Sequence, residues 1–345
     1  MLQNHQTIKI AILAPLKFPI AEPFHGGLEM HTYLLSRELV ARGHEVTLLA
    51  HPDSDVQFNL VPVAVGENAS FLTYSRAIRK AVRLADEGDF DVVHNNTIHF
   101  LPPLLAQGLS VPMVTTLHTP PYKSHRFTAR LTRQVANHHY AAISHFLGGQ
   151  WQPFIGDNYT VIHNGLDTDA WPFSANPEPK TAIWYGRFTP EKGAEYAIAA
   201  ARAAGYRLTL AGPVSDQAYF DQKVTPELDD TIRYAGHLNQ TELAALVGRS
   251  AVGIVTSVWD EPFGLVFAEM LACGTPVAGF ESGAAAEIVT PEVGDLVAKY
   301  DVSALTQVLW EVERSKERTS CRKWAVSAFP VSGMVEGYLG LYNRG

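Results

Sequence analysis

The sequence predicts an α/β protein built from two doubly wound parallel sheets with helices on both faces. Three observations carry this expectation. Short apolar runs of strand length alternate with helix-compatible stretches along the whole chain. The length, 345 residues, suits two domains at about 100–200 residues each. The stretch 167–180, DTDAWPFSANPEPK, holds three prolines and no periodicity, as a connection between two such domains should.

The chain opens with the apolar run 8–14, IKIAILA, read as a buried strand. A loop with Pro15 and Pro19 leads to Gly26-Gly27 and then to LEMHTYLLSRELVARGH. In that stretch Leu28, Tyr33 (or Thr32), Leu35, Leu39 and Val40 are spaced for one buried helical face. Gly43 stands where a helix stop is expected, and EVTLLAH follows as a strand. FDVVHNN, PMVTTLH, YAAISH and YTVIHNG continue the strands of the first half. TAIWYG, YRLTLAG, TIRYAG, AVGIVTS and TPVAGF supply those of the second. The expected division is a first domain over 1–166, a linker at 167–180 and a second domain from 181. Open α/β sheets bind ligands beyond the carboxyl ends of their strands, so two such domains are expected to face a cleft lined by those loops.

Composition removes several classes of function. Hydrophobic residues at 46% and charged residues at 18% supply a core and argue against disorder. Net charge is −8; up to Gly165 there are 12 Lys and Arg against 12 Asp and Glu, and afterwards 15 against 23. Without a basic surplus, general nucleic-acid binding is excluded. Cys273 and Cys321 cannot make a disulfide framework or a thiolate zinc site. No run approaches the ~20 apolar residues of a membrane span. The start, MLQNHQTIKI, lacks the features of a signal peptide, so a soluble cytoplasmic protein is expected. There is no G-x-x-x-x-G-K-[ST], no G-x-G-x-x-G after the first strand and no H-E-x-x-H. Gly279-Phe280-Glu281-Ser282-Gly283 has its serine one place too late for a nucleophile elbow. The histidines, His94, His99, His138 and His139 among them, show no ligand spacing, and no metal site is expected.

Three segments carry chemistry. In 257–289, SVWDEPFGLVFAEMLACGTPVAGFESGAAAEIV, Glu269 follows Glu261 by eight residues. On one continuous helix the two carboxylates stand roughly 12 Å apart. A glycosidase pair works at ~5–9.5 Å, so this spacing suits the two ends of one extended polar ligand instead. Phe263, Gly264 and Leu265 offer backbone N–H groups at a helix start, where phosphate binds. Taken alone, Glu269 reads as a solvated glutamate. The second segment, GRFTPEKG after the strand TAIWYG, sets Arg187 and Lys192 at a strand end, a guanidinium fork and a mobile ammonium suited to diphosphate. As a lone R-x-x-x-x-K it reads as a solvated loop. The third, Gly26-Gly27-Leu28-Glu29, permits close backbone approach to a ligand, though as a bare turn it is common.

In collinear order over nearly the full length, these segments resemble the family-4 retaining glycosyltransferases of the GT-B fold, in which two Rossmann-like domains face a cleft. The resemblance rests on GGLEMHTYLLSRELVARGHEV, TTLHTP at 115–120, VIHNGLDTDAW at 161–171, GRFTPEKG, YAGHL at 234–238, and EPFGLVFAE, whose Glu261 and Glu269 fill the family's E-x7-E signature. It implies transfer of a hexose, with retention, from a nucleoside diphosphate sugar (a UDP- or GDP-sugar) to a small-molecule, glycan or lipid-linked acceptor. No further cofactor and no metal is implied. Arg187 and Lys192 would hold the diphosphate, Glu269 the ribose hydroxyls, and Glu261 with the backbone of Phe263, Gly264 and Leu265 the donor sugar. His237 and Leu238 would meet the base through their backbone. Gly26-Gly27 would bring the first domain's backbone to the diphosphate. His118 would lie near the donor sugar and acceptor; without the resemblance it reads as a strand-end histidine bonded to backbone. The segment FPVSGMVEGYLGLYNRG looks like the family's crossing segment, so 329–345 is expected to rejoin the first domain, leaving 181–328 as the donor domain. Gly283-Ala284 stands where the family often has two glycines, and Met270 where it has a small residue. Two alternatives stay open: an idle sugar-nucleotide-binding protein, and a sugar-nucleotide epimerase of the same fold.

One feature is separate from that resemblance. In FLTYSRAIRKAVRLA, Arg76, Arg79, Lys80 and Arg83 form a helical stripe opposite Phe71, Ile78 and Val82, and Lys123, Arg126, Arg130 and Arg133 form a second basic run. A solvated face is the plain reading. Attraction to an anionic acceptor or, weakly, to the inner face of an anionic membrane is the sharper one.

Overall fold

The computed structural model describes residues 7–66 and 68–343. Residues 1–6, read above for a leader, and residues 344–345 of the expected crossing segment lie outside them. The chain forms two compact units: one runs to Gly165 and resumes at Val331, the other spans Leu166–Pro330.

The first unit holds β1 (Lys9–Leu13), β2 (Glu45–Ala50), β3 (Asn59–Pro62), β4 (Val92–Asn95), β5 (Met113–Leu117), β6 (His138–Ala142) and β7 (Tyr159–Val161). They form one sheet in the order β3-β2-β1-β4-β5-β6-β7, with every pair parallel. The second unit holds β8 (Glu178–Tyr185), β9 (Arg207–Ala211), β10 (Ile232–Tyr234), β11 (Ser250–Val255), β12 (Val277–Phe280) and β13 (Gly294–Val297). Their order is β10-β9-β8-β11-β12-β13, again parallel throughout. Both sheets are the doubly wound arrangement that the alternating runs predict. In each, the chain reverses direction across the sheet beside its first strand, β1 with β4 and β8 with β11. Ligands bind at such switch points.

Strands covered on both faces must be apolar on both sides. Accordingly Ile10, Ala11, Ile12 and Leu13 of β1 and Ala251, Val252 and Ile254 of β11 are all buried. Each large apolar side chain so buried contributes roughly 1.5–3 kcal/mol. Strands β3 and β13, at sheet edges, escape the sequence pattern because NLVP and GDLV offer no continuous apolar run.

Three differences from expectation matter for function. The helix Gly27–Ala41 buries Glu29, His31, Thr32 and Ser36 beside Leu34, Leu35 and Leu39, so its inner face is half polar. The 167–180 stretch is not a free connection. Trp171 in it is fully buried, Arg322 donates to the carbonyls of Thr168 and Trp171, and its last residues already belong to β8. Finally, Phe71 does not join the buried face of its helix, Phe71–Glu87, which is made by Ile78, Ala81, Val82 and Ala85. Phe71 stands 65% exposed. The C-terminal helix Val331–Tyr342 packs in the first unit against the helix Gly27–Ala41, and a side chain at Gly165 would come within 2.6 Å of its first residue.

Candidate active site

In the second unit the loops after β8 and β11 emerge side by side at the switch point. The β8 loop turns inward on Phe188, which packs against Trp184 at 5.0 Å and Phe220 at 4.9 Å between ring centres. It then closes through the 3₁₀ turn Pro190–Lys192 onto Gly193, whose φ of 66° lies in the left-handed region. A Cβ at Gly193 would stand 2.5 Å from the Thr256 carbonyl, so only glycine lets the two loops approach this closely. The hydroxyl of Thr256 donates to the Gly193 carbonyl at 2.7 Å, and the Val258 N–H to the Glu191 carbonyl at 2.9 Å.

This clamp brings Lys192 to Glu261. The ammonium lies 2.5 Å from Glu261 Oε1, and Ser257 Oγ donates to the same oxygen at 2.6 Å. Burial alone would push the Glu261 carboxyl up. The Lys192 charge, with hydrogen bonds from Lys192 and Ser257, outweighs burial and holds the carboxyl below its ordinary value. The loop after β12 fixes Glu261 from the other side. Gly283, at φ 59°, leaves no room for a Cβ, which would sit 2.2 Å from the Glu261 carbonyl oxygen. The Ala284 N–H donates to that carbonyl at 2.9 Å. Thr189 Oγ1 and Ser282 Oγ, in the loops after β8 and β12, are buried hydroxyls with no hydrogen-bond partner.

Glu269 is a separate station. The helix Leu265–Ala272 begins only after Gly264, so Glu261 lies in the preceding loop and the two glutamates do not share one continuous helix. Glu269 is buried and accepts a hydrogen bond of 2.7 Å from the Tyr185 hydroxyl. Burial raises its carboxyl to about 7, with the Tyr185 bond pulling the other way. Gly264 has φ 90°, and a side chain there would strike the Phe267 ring at 2.6 Å. The helix carries no side-chain cap, which leaves first-turn N–H groups for another acceptor. Met270 lies over Gly253 of β11, whose missing side chain makes room for it.

Of the other residues singled out, Arg187 is exposed and makes no hydrogen bond or ion pair among the described residues. His237 is exposed and Leu238 half-buried, just past β10, where the Gly212 N–H bonds to the Gly236 carbonyl at 2.9 Å. Phe263 is buried against Phe329 at 5.6 Å. In the first unit Gly26 is the extended residue before the helix Gly27–Ala41, which has no side-chain cap. A Cβ there would meet only Glu29, at an ordinary 3.5 Å, so the protein's own packing does not demand the glycine.

His118 follows β5 and is tied to a side chain, not to backbone. Its Nε2 lies 3.1 Å from Asn96 Oδ1, and His94 Nε2 lies 3.1 Å from the same oxygen. Asn96 Nδ2 points at Thr32 Oγ1, whose own hydrogen goes to the Leu28 carbonyl. Asn96 Oδ1 is therefore the acceptor that faces both rings, which assigns the His118 proton to Nε2; His94 Nε2 also lies 2.8 Å from Thr116 Oγ1, and the same tautomer follows when its proton is shared between that oxygen and Asn96 Oδ1. His118 then keeps a lone pair on Nδ1. His94 Nδ1 in turn accepts from the Tyr342 hydroxyl, and Thr116 Oγ1 lies 3.0 Å from the Tyr338 hydroxyl. His31 completes the cluster, its ring edge-on to His118 at 4.9 Å and beside the Asn164 side chain. Burial pushes His31 down to about 4, His94 to about 3 and His118 well below its ordinary value. A small cavity beside His118 is lined by Thr97, Thr119, His125, Tyr140 and Trp151.

Tyr185, Ser257, Asn96 and Tyr342 were not singled out from the sequence, and His94 was named only as a histidine without ligand spacing. Ser257 lies four residues before Glu261 and Tyr185 ends a strand before a marked loop, so both had a local signal. The others are joined only by the fold.

Residues 25–170 match the family model "Glycosyltransferase Family 4", and residues 167–327 the model "Glycosyl transferases group 1". The chain is 30% identical to a Mycobacterium tuberculosis glycogen synthase, across 83% of this chain and 82% of that protein. It is 26% identical to a phosphatidyl-myo-inositol mannosyltransferase of Mycolicibacterium smegmatis, across 96% and 95%. The fold is similar to that of Anabaena HepE, solved in complex with UDP and glucose, with a TM-score of 0.76, 20% identity and coverage of 97% and 99%.

Proposed function

The chain belongs to the family 4 glycosyltransferases, and from that premise we propose that it transfers a hexosyl group from a nucleoside diphosphate sugar, a UDP- or GDP-sugar, with retention at the anomeric carbon. The observation that carries the reading is the second unit's switch point. There a lysine–glutamate–serine cluster is built into clamped loops, and the partnerless Arg187 stands at the end of the same strand.

When the bond from C1 to the diphosphate oxygen breaks, negative charge builds on the leaving group. Arg187 and Lys192 meet that charge, and the uncapped start of the helix Leu265–Ala272 adds backbone dipoles. These groups supply the stabilisation without a metal. Glu269 accepts from the ribose hydroxyls, Glu261 with the Phe263–Leu265 backbone orients the sugar, and the His237–Leu238 backbone meets the base. From the first unit, His118 serves the donor sugar and acceptor, and Gly26-Gly27 the diphosphate. Glu261, ion-paired and hydrogen-bonded, is a poor nucleophile. The acceptor oxygen therefore bonds to C1 on the face the diphosphate leaves, and its proton departs with the diphosphate. Among the described residues no helix is long and apolar enough to cross a membrane. A cytoplasmic setting, peripheral at the inner membrane face, belongs to the same proposal.

The test is a thermal-shift and turnover screen against UDP-, GDP- and ADP-hexoses, with a glycan and a lipid-linked acceptor. One donor should raise the melting temperature and be slowly hydrolysed without acceptor. Arg187→Ala should cost roughly 10²–10³ in turnover with an unchanged fold; near-normal turnover removes the assignment. A donor that stabilises without turnover under any acceptor favours an idle binding protein instead.

A further inference from the structure

The cavity beside His118 is lined by two polar groups that the fold leaves unused. Other polar side chains around it have partners. Thr97 Oγ1 donates to Asn95 Oδ1 at 2.8 Å, the Tyr140 hydroxyl lies 2.7 Å from Thr132 Oγ1, and Trp151 Nε1 donates to the Thr119 carbonyl at 2.8 Å. Thr128 Oγ1 and His125 Nδ1 are buried and have no hydrogen-bond partner among the described residues. Thr128 as a whole is only 2% exposed. The two stand three positions apart on the helix Lys123–Thr132, so both lie on the face that lines the cavity. His125 Nε2 lies 3.0 Å from the Ile98 carbonyl, an oxygen that only accepts, so the ring carries its proton there and Nδ1 is a bare lone pair. Burial holds His125 below its ordinary value and so keeps Nδ1 unprotonated.

A buried acceptor without a donor costs free energy, and so does a buried hydroxyl without a partner. A single incoming hydroxyl satisfies both: its hydrogen goes to His125 Nδ1 and its oxygen accepts from Thr128. The walls restrict what carries that hydroxyl. Among the described residues no carboxylate, Lys or Arg lines the cavity, while Ile98, Pro103, Ala129 and the Tyr140 and Trp151 rings do, and it takes little more than one water-sized group. A carboxylate or ammonium there would be buried without a countercharge. Rings continue the lining. His99 stacks on Phe100 at 4.7 Å, and His125 meets Tyr122, itself 50% exposed, at 5.6 Å. Such rings offer apolar faces to the C–H face of a pyranose. His118 lines the same cavity, so a molecule anchored in it lies beside that residue.

We infer that this cavity is the subsite for the hydroxymethyl arm of a neutral hexopyranoside acceptor. The C6 hydroxyl fills the cavity between His125 Nδ1 and Thr128 Oγ1, its CH2 lies in the mouth, and the sugar ring rests on the neighbouring aromatic side chains. A 6-deoxy sugar or a pentose leaves both protein groups unpaired, and a uronic acid brings a charge the walls cannot meet. The role as acceptor rests on the transferase reading; recognition of the hydroxymethyl arm rests on the cavity itself.

Nuclear magnetic resonance on the full chain tests it, with the methyl pyranosides of glucose, galactose and mannose as probes. At least one should shift the His125 Nδ1 and Thr128 methyl signals saturably. Its 6-deoxy and uronic counterparts should bind at least about tenfold more weakly. Thr128→Val removes the hydroxyl at nearly constant shape; it should keep the melting temperature and lose the preference for a 6-hydroxyl. Equal binding of a hexoside and its 6-deoxy form overturns the proposal, as does a preference that survives in Thr128→Val. So does a pair of signals that none of the three hexosides moves, which would assign the cavity to water alone. Donor hydrolysis without acceptor, followed in parallel, tests the transferase reading by itself. A 6-hydroxyl-dependent shift without hydrolysis of any donor would remove the acceptor role and leave a carbohydrate subsite.

Discussion

The two units share a strand order yet use their switch points in opposite electrostatic regimes. In the second, the site is ionic: Lys192 against Glu261, Arg187 free, and a buried Glu269. In the first, the residues around His118 are neutral, their rings and hydroxyls joined by hydrogen bonds and excluded from water. A doubly wound sheet therefore fixes where a site forms and leaves its chemistry to the loops and to whatever packs beneath them. The two regimes make the units respond to acid and base in opposite directions.

The largest expected effect is on the first unit. Histidines held neutral bind fewer protons folded than unfolded at any pH below 6.5. The stability they contribute is present above that value and is lost as pH falls towards 4 for His31 and 3 for His94. From the two shifts together the loss should reach about 8 kcal/mol. Amide exchange followed from pH 7 to 4, corrected for intrinsic rates, should show first-unit peptides opening before those of β8 and β11. Simultaneous opening of both units would break the comparison.

Next come the two cations of the second unit, which differ in surroundings and so in consequence. Lys192→Ala leaves Glu261 buried without its countercharge, which costs about 3–5 kcal/mol in stability as well as roughly 10²–10³ in turnover. Arg187→Ala touches no partner and should lower turnover alone. Denaturant midpoints beside rates separate the two, and equal midpoints would mean that the Lys192–Glu261 pair contributes nothing to the fold.

How much of this was legible beforehand follows from the range of each interaction. The β8 and β11 loops could be read because their chemistry is local: glycines, charged residues and a helix start within a few positions of a strand end. The helix Gly27–Ala41 was readable as a helix but not as a half-polar one, since His31 and Thr32 meet partners that arrive from the ends of β4 and β5 and from the C-terminal helix. Tyr342 and His94 stand 248 residues apart, and no periodicity joins them. Phe71 falls on an apolar spacing, yet at the helix start only one face of its ring is met, by His99 and Phe100, and it stays 65% exposed. The stretch 167–180 shows the converse: its prolines signal irregular backbone, and Trp171 still buries it.

Glu269 gives a smaller effect of opposite sign to the histidines. Raised from 4.5 to about 7, it binds more protons folded than unfolded between those values, so the stability it contributes is present below 4.5 and lost as pH rises through about 7. The difference is about 3 kcal/mol. Glu269→Gln should flatten the fall in melting temperature between pH 5 and 8. If the carboxylate serves the ribose hydroxyls, nucleotide affinity in the parent protein should also rise through pH 7, and calorimetry in buffers of different ionisation enthalpy should show a proton released on binding.

The smallest effect falls on the C-terminal helix, and it tests whether the neutral network does more than hold the fold. Tyr342→Phe keeps the ring that packs on Tyr338 but removes the hydrogen that caps His94 Nδ1, leaving a buried acceptor unpaired at about 1–2 kcal/mol. Moving the His94 proton to Nδ1 finds no acceptor there once the hydroxyl is gone, but it lets Nε2 accept from Thr116 Oγ1, 2.8 Å away, while turning a lone pair towards Asn96 Oδ1. Asn96 would then be free to rotate, and His118 would lose its fixed tautomer. Nitrogen-15 spectra of the histidines should show one Nε2–H form for His94 and His118 in the parent and a mixture in the variant. An unchanged tautomer in Tyr342→Phe would confine Tyr342 to packing, because Asn96 and Thr32 would then suffice to orient His118.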